Sequence, residues 1–316
     1  MSTMTLLRVL ATTFLLVSLV VINSPTFAVG HTNQISGNNP FGFVHQLKGA
    51  RRGQSIEGLR DVKQYLQKFG YYLNDDNKDT YANVDQNDDD DEFDEFLEAA
   101  IKRYQRTYRI PVSGALDHAT TSQMMIPRCG VSDHGVILAL RRFGDDRFFP
   151  GKPKWNKNHL RYKFGPKSRP PAGLKEATIK AAVDKAFQSW KNVTNFTFEY
   201  VASRTAEAEV EISFYSRDHG DNPPFDGPNG TLAHAFAPRA GLIHYDADEK
   251  WSDDPSPMEV DLESLGLHEI GHALGLLHSY YYAAVMYPYF GPGQVKRELQ
   301  RIEIEAIRDL YNLPSK

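Results

Sequence analysis

Apolar residues recur at helical spacing in two short stretches near the front of the chain. Between Ser55 and Phe69 they fall at Leu59, Val62, Leu66 and Phe69; between Phe93 and Tyr104 at Phe93, Leu97, Ala100, Ile101 and Tyr104. Each set lines one face of a helix. A longer pattern runs from Leu174 to Trp190, with Ile179, Val183, Ala186, Phe187 and Trp190 on one side. The period then drops to two. Phe196, Phe198 and Tyr200 alternate with polar residues, as do Val210, Ile212 and Phe214, and predict strands. Residues 215–256 are rich in Gly, Pro, Asp and His, and helical patterning returns at 262–275 and 297–311. The order predicts an α+β chain: a small all-helical domain ending near Asp133, a less patterned stretch over 134–148, and a larger mixed domain opening at Phe149.

Two segments stand outside this pattern. Asp85 to Glu95 holds eight acidic residues in eleven and reads as a solvated run, a loose cation site being the lesser alternative. At the amino terminus, Arg8 precedes an almost wholly apolar stretch from Val9 to Ile22, which breaks at Asn23-Ser24-Pro25 and reaches Ala28. A basic start, a short apolar run and a small-residue exit read as a secretory signal peptide cut near Ala28. The alternative, an uncleaved anchor, needs about 20 apolar residues to span a bilayer. No other stretch suggests a membrane span, and the carboxyl end lacks the apolar tail of a lipid-anchor signal. Export is therefore expected, to the extracellular space or cell wall. Asn192-Val193-Thr194 and Asn195-Phe196-Thr197 then become candidate glycan acceptors at Asn192 and Asn195.

Composition narrows the function classes. The 316 residues are 41% apolar and 12% aromatic, enough for a packed core in one or two domains. A net charge of −4 gives no electrostatic case for nucleic acid or anionic lipid. One cysteine, Cys129, cannot close an internal disulfide.

The chemistry is concentrated at His268-Glu269-Ile270-Gly271-His272-Ala273-Leu274-Gly275-Leu276-Leu277-His278. Residues i and i+4 share a helix face, so His268 and His272 aim at one point, with Glu269 beside it. A third ligand at His278 needs the helix to stop, and Gly275 supplies a residue able to turn left-handed. Three neutral imidazoles and a water make the open tetrahedral site of catalytic zinc. Composition alone gives the pentad about 0.02 chance occurrences in this length, and the full pattern about one in twenty thousand. A single histidine would suit an ordinary core position; three at this spacing do not.

With these residues the sequence resembles the metzincin metalloproteases, and specifically the matrix metalloproteinases, or matrixins. Ser279 after the third histidine and Ala284-Val285-Met286-Tyr287-Pro288 match the family, whose Met-turn would place Met286 beneath the metal. The resemblance implies a metzincin-type domain, a mixed twisted sheet with three helices, over 149–316. It implies a propeptide over 29–148 after a signal peptide at 1–28, and residues 55–126 resemble the peptidoglycan-binding-like helical prodomain of the family. Pro127-Arg128-Cys129-Gly130-Val131-Ser132-Asp133 matches the family's cysteine-switch motif, implying Cys129 as the fourth zinc ligand of a latent form and an Arg128–Asp133 pair across the cleft.

The family also implies a structural zinc on His219, Asp221, His234 and His244. It implies calcium on the side chains of Asp226, Asp246 and Glu249, with backbone oxygens of Gly227, Asn229 and Thr231. Nine residues separate His234 from His244, fewer than in many vertebrate matrixins, so one further calcium of those relatives is not expected. Ile302 and Glu303 stand where relatives often carry paired aspartates, one of which can bind the freed amino terminus. Pro288-Tyr289-Phe290 matches the outer wall of the main specificity pocket, and the small Ser264 implies a deep pocket for a large apolar side chain.

The expectation is thus a secreted zinc endopeptidase made as a latent zymogen, with Glu269 as general base, acting on extended polypeptides that add to the sheet edge near Gly230 to Phe236. Activation is expected between Asp133 and Phe149, where Arg141-Arg142 is no convincing convertase site. The mature protein is expected to be a monomer without a propeller domain, most like the plant matrixins. A rival reading is a non-catalytic extracellular binding module that keeps the metal scaffold; intact Glu269 and Cys129 argue against it. An exopeptidase is disfavoured because nothing marks a terminal-amine site.

Overall fold

Asp91 explains why the first helix starts later than its periodicity. Its carboxylate accepts from the backbone N–H groups of Gly58 (3.1 Å) and Arg60 (3.0 Å), so helix α1 runs Leu59–Lys68 rather than from Ser55. A carboxylate there also meets the positive end of the helix dipole. Ser55 instead bridges Glu92. Asp94 caps helix α2 (Glu95–Thr107) through Leu97 N at 2.6 Å and pairs with the buried ammonium of Lys63 at 2.8 Å. The end of the acidic run is therefore capping structure, not solvated coil. The computed structural model describes residues 39–72, 91–133, 147–221 and 223–314; the signal-like segment, residues 85–90 and Arg141-Arg142 lie outside them. A third helix, α3 (His118–Met124), is capped by Asp117 and is too short for a periodic signal. These elements close over Val44, Leu59, Val62, Leu66, Phe93, Leu97, Ile101 and Tyr104, all fully buried.

The larger domain is built on β2 (His159–Phe164), helix α4 (Glu176–Val193), β3 (Thr197–Tyr200), β4 (Val210–Tyr215), β5 (Thr231–Ala235), β6 (Leu242–Asp246), helix α5 (Leu262–Ala273) and helix α6 (Arg301–Leu310). The sheet order is β5-β6-β4-β2-β3, parallel throughout except that β5 runs antiparallel to β6. The predicted face of α4 (Ile179, Val183, Ala186, Phe187, Trp190) is buried, and Trp190 Nε1 donates to Leu267 O of α5 at 2.9 Å. That bond ties the covering helix to the one carrying the histidines. Two short strands, β7 (Trp251–Ser252) and β8 (Val260–Asp261), lead into α5.

The segment carrying Cys129 joins this sheet. Strand β1 (Arg128–Cys129) lies parallel to β5, outside it, while Arg128 bridges Tyr289 antiparallel on its other side. Residues 127–130 are held by Arg128 N to Gly230 O, Gly130 N to Ala233 O, Cys129 N to Pro288 O and Phe290 N to Pro127 O, all 2.7–2.9 Å. Gly130 permits the close approach, because a Cβ there would meet Thr231 Cγ2 at 2.7 Å. Where the described residues resume, Leu277 N donates to Arg147 O (2.8 Å) and Phe148 bridges Leu276. Ile35–Lys316 form one compact unit.

Candidate metal centre

Helix α5 ends where the third histidine must turn. Gly275 takes φ 110°, Gly275 N donates to His272 O (2.8 Å) and Leu276 N to Gly271 O (3.0 Å). This is the glycine-terminated cap that reverses a helix. A side chain at Gly275 would also strike Pro153 O and Leu310. The turn delivers His278 back towards His268 and His272, with ring centres 5.2 and 4.8 Å away.

Each ring is oriented through Nδ1. His268 donates to Val285 O (2.8 Å), His272 to Leu276 O (2.7 Å) and His278 to the carboxylate of Asp133 at Oδ1 (2.8 Å). That leaves Nε2 as the bare lone pair on each. The Nε2 atoms of His268 and His272 lie 3.0 Å apart, and Cys129 Sγ is 3.6 Å from His272 Nε2. The four ligand atoms of Cys129, His268, His272 and His278 all lie within 4.8 Å of one another. Burial holds all three imidazoles below their usual pKa, hence neutral. His278 Nε2 and both Glu269 carboxylate oxygens are buried without a hydrogen-bond partner. Orphaned buried lone pairs of this kind are costly unless a cation or water engages them. The donor set therefore fits zinc. Burial pushes Glu269 up to about 8. It also drives the Cys129 thiol well up, with Glu269 adding to the effect, so an adjacent cation is what would hold that sulfur as thiolate.

Met286 is buried, and its sulfur fills the space a side chain at Gly271 would take. The Met-turn is tied to α6, since Glu303 Oε1 accepts from Met286 N at 3.0 Å while Oε2 accepts from Gln300 N at 2.8 Å. The carboxylate at 303 is thus committed to the turn, and Ile302 offers none to a freed amino terminus.

A second cluster gathers His219, Asp221, His234 and His244, again with ligand atoms within 4.8 Å. They converge on Asp221 Oδ2: His219 Nε2 at 3.2 Å, His234 Nε2 at 2.8 Å and His244 Nδ1 at 2.6 Å. Among the described residues these are the two such clusters. The carboxylates of Asp226, Asp246 and Glu249 do not form a third. They hold the loop's backbone: Asp226 accepts Thr231 N (2.7 Å), Asp246 accepts Gly227 N (3.1 Å) and Glu249 accepts Asn229 N (2.7 Å). Burial, with Asp246 beside it, still pushes Glu249 to about 8, the mark of a carboxylate short of positive charge. Asn192, on the last turn of α4, and Asn195 are exposed.

Several partners were invisible in the sequence. Arg128 and Asp133 pair at 2.5 Å, both fully buried, as the resemblance implies. Around them, Tyr71 and Tyr108 hydroxyls donate to Asp133 Oδ2 (2.7 and 2.5 Å), and Tyr104 meets Tyr289 at 2.7 Å between hydroxyls. Lys68 donates to Thr231 Oγ1 at 2.8 Å and lies 3.7 Å from Asp226. Tyr104 reads as core by periodicity, and nothing in spacing marks its hydroxyl or Lys68.

Three neutral buried imidazoles and the buried Glu269, on a helix that stops to admit the third ring, have the make-up of a zinc-dependent hydrolase. The family follows from comparison with known proteins. The matrixin profile matches residues 154–312 and the peptidoglycan-binding domain profile residues 55–124. The chain is 40% identical to metalloendoproteinase 1-MMP of Arabidopsis thaliana over 274 residues, covering 84% of this chain and 72% of that relative. It is 36% identical to metalloendoproteinase 1 of Glycine max over 313 residues, 93% and 96% of the two chains. It is also 36% identical to human neutrophil collagenase over 219 residues, 68% of this chain and 44% of that protein. The chain belongs to the matrixin family.

Proposed function

We propose that this metalloendopeptidase is made as a secreted latent zymogen that hydrolyses extended extracellular polypeptides once its propeptide is removed. The observation that carries the reading is the placement of Cys129: buried, within reach of three imidazole lone pairs, on a strand filling the groove between β5 and residues 288–290. A thiolate there takes the position a nucleophilic water needs.

His268, His272 and His278 hold the catalytic zinc in this reading, which when bound acidifies its water and polarises the scissile carbonyl. Glu269 takes the proton from the attacking water and passes it to the leaving amine. The edge of β5 binds the extended substrate by backbone hydrogen bonds once β1 has left. Met286 supports the site from beneath. His219, Asp221, His234 and His244 hold a structural zinc, and the loop of Asp226, Gly227, Asn229, Thr231, Asp246 and Glu249 holds calcium. The activating cut falls between Asp133 and Phe149.

Hydrolysis of an internally quenched peptide by the trimmed protein tests the enzyme part. The activity should vanish with a chelator and in Glu269→Ala while that variant retains zinc. Undiminished hydrolysis by Glu269→Ala would remove the general base from the mechanism.

A further inference from the structure

His268 and His272 take their Nδ1 acceptors from backbone carbonyls of the larger domain. His278 does not. Its Nδ1–H donates to Asp133 Oδ1 at 2.8 Å, a charged acceptor supplied by the propeptide, with both side chains fully buried. Asp133 is itself immobilised. Arg128 donates to both of its oxygens (2.5 and 3.1 Å), and the hydroxyls of Tyr71 and Tyr108 complete the seat. The His278 ring is therefore fixed in the tautomer that bares Nε2, and that atom lies buried with no hydrogen-bond partner.

A carboxylate behind a ligating imidazole fixes its orientation and raises its basicity; losing such a partner typically weakens metal affinity about 10–100-fold. We propose that Asp133 is a positioning residue for His278, so that the propeptide supports the zinc centre at a second point besides Cys129. This rests on the zymogen reading above. Activation then removes two things together: the sulfur that blocks the open position, and the carboxylate that anchors one of the three permanent ligands. The latent chain holds its catalytic zinc more firmly than the processed enzyme does, even when the sulfur is left out of the comparison.

The experiment measures zinc release from the full-length chain into excess chromogenic chelator. Its background is Cys129→Ala with Glu269→Ala, which has no thiolate and cannot process itself. The catalytic phase is the one lost on adding His272→Ala. Adding Asp133→Asn should accelerate that phase about tenfold or more. Adding Tyr108→Phe, which loosens the seat of Asp133 without touching His278, should leave it within about threefold of the background. Equal release from the background and its Asp133→Asn derivative overturns the proposal, as does equal acceleration by both variants, which would mark Asp133 as a docking contact only. If Asp133→Asn does not fold, the background chain is compared before and after proteolytic trimming, and unchanged release after trimming overturns the proposal. The zymogen reading fails separately, by persistent latency of a Cys129→Ser chain whose zinc is intact.

Discussion

The guanidinium carbon of Arg128 lies 3.6 Å from the centre of the Phe69 ring, so the cation that pairs with Asp133 is stacked on the residue that ends α1. The Tyr289 ring centre lies 4.8 Å from the same carbon. Removing the ring leaves a buried charge uncovered and opens a cavity. Phe→Ala costs about 3–5 kcal/mol, and a desolvated cation–π contact adds about 2 kcal/mol. If only about 1.4 kcal/mol of this falls on the docked state, the open fraction rises tenfold. Phe69→Ala should therefore raise peptide hydrolysis by the unprocessed chain at least about tenfold. Basal hydrolysis equal to that of the wild type would show that the stack does not hold the lock.

Cys129→Ser should convert the latent chain into one that processes itself, because a hydroxyl of ordinary acidity does not replace a thiolate as zinc ligand. Electrophoresis of freshly purified protein reads this directly. A chain that stays at full length, zinc-loaded and inactive, contradicts the switch.

Lys68 reaches from α1 to the proposed calcium loop, 3.7 Å from Asp226. A cation bound at that carboxylate must work against the ammonium while the prodomain is docked. Calcium titration by calorimetry should give weaker binding in the unprocessed chain than in the trimmed one. Lys68→Gln in the unprocessed chain should recover affinity about fivefold, the lower end of typical site coupling. An unchanged dissociation constant would show that Lys68 and calcium do not interact.

The Lys296 ammonium donates to Tyr282 O (2.7 Å) and Ala284 O (3.3 Å) among the rings of Tyr282, Tyr287 and Phe290. Burial lowers its pKa to about 8, with Glu303 pulling upward. The unfolded chain then binds more protons than the folded one from pH 8 up to the ordinary value of 10.5, so this group makes stability rise with pH across that window. Lys296→Met should remove that rise. The melting temperature of the wild type relative to Lys296→Met should rise between pH 7.5 and 9.5, and parallel curves would reject the assignment.

Ser264 is buried on α5, where its hydroxyl donates to Asp261 and accepts from Lys296 N at 2.7 Å. A large side chain there has to enter the space between α5 and the segment after Phe290. Ser264→Leu should shift the preferred primed-side residue from large apolar to small, as read by cleavage of a peptide library. An unchanged profile would place the pocket elsewhere.

Much of this protein was legible as pattern. The i, i+4 pair His268 and His272, the glycine at 275 and the third histidine specify a local geometry, and local geometry follows from backbone rules that act within a few residues. The helix faces of α1, α2 and α4 were legible for the same reason. Boundaries were less so: α1 was displaced to Leu59 by Asp91, 32 positions further along, and Glu303 serves the Met-turn rather than a terminus.

Tertiary structure alone decided what meets across the groove. Asp133 behind His278, Phe69 over Arg128, Tyr104 against Tyr289 and Lys68 beside Asp226 join residues separated by scores or hundreds of positions, and no period encodes them. The physical reason is burial. Once strand β1 lies at the sheet edge, every buried polar group around it loses water and must find a partner, and which partner it finds depends on tertiary packing. The sequence determined that a zinc centre and a cysteine exist. Folding determined that Asp133, four residues after that cysteine, meets one of that centre's own histidines.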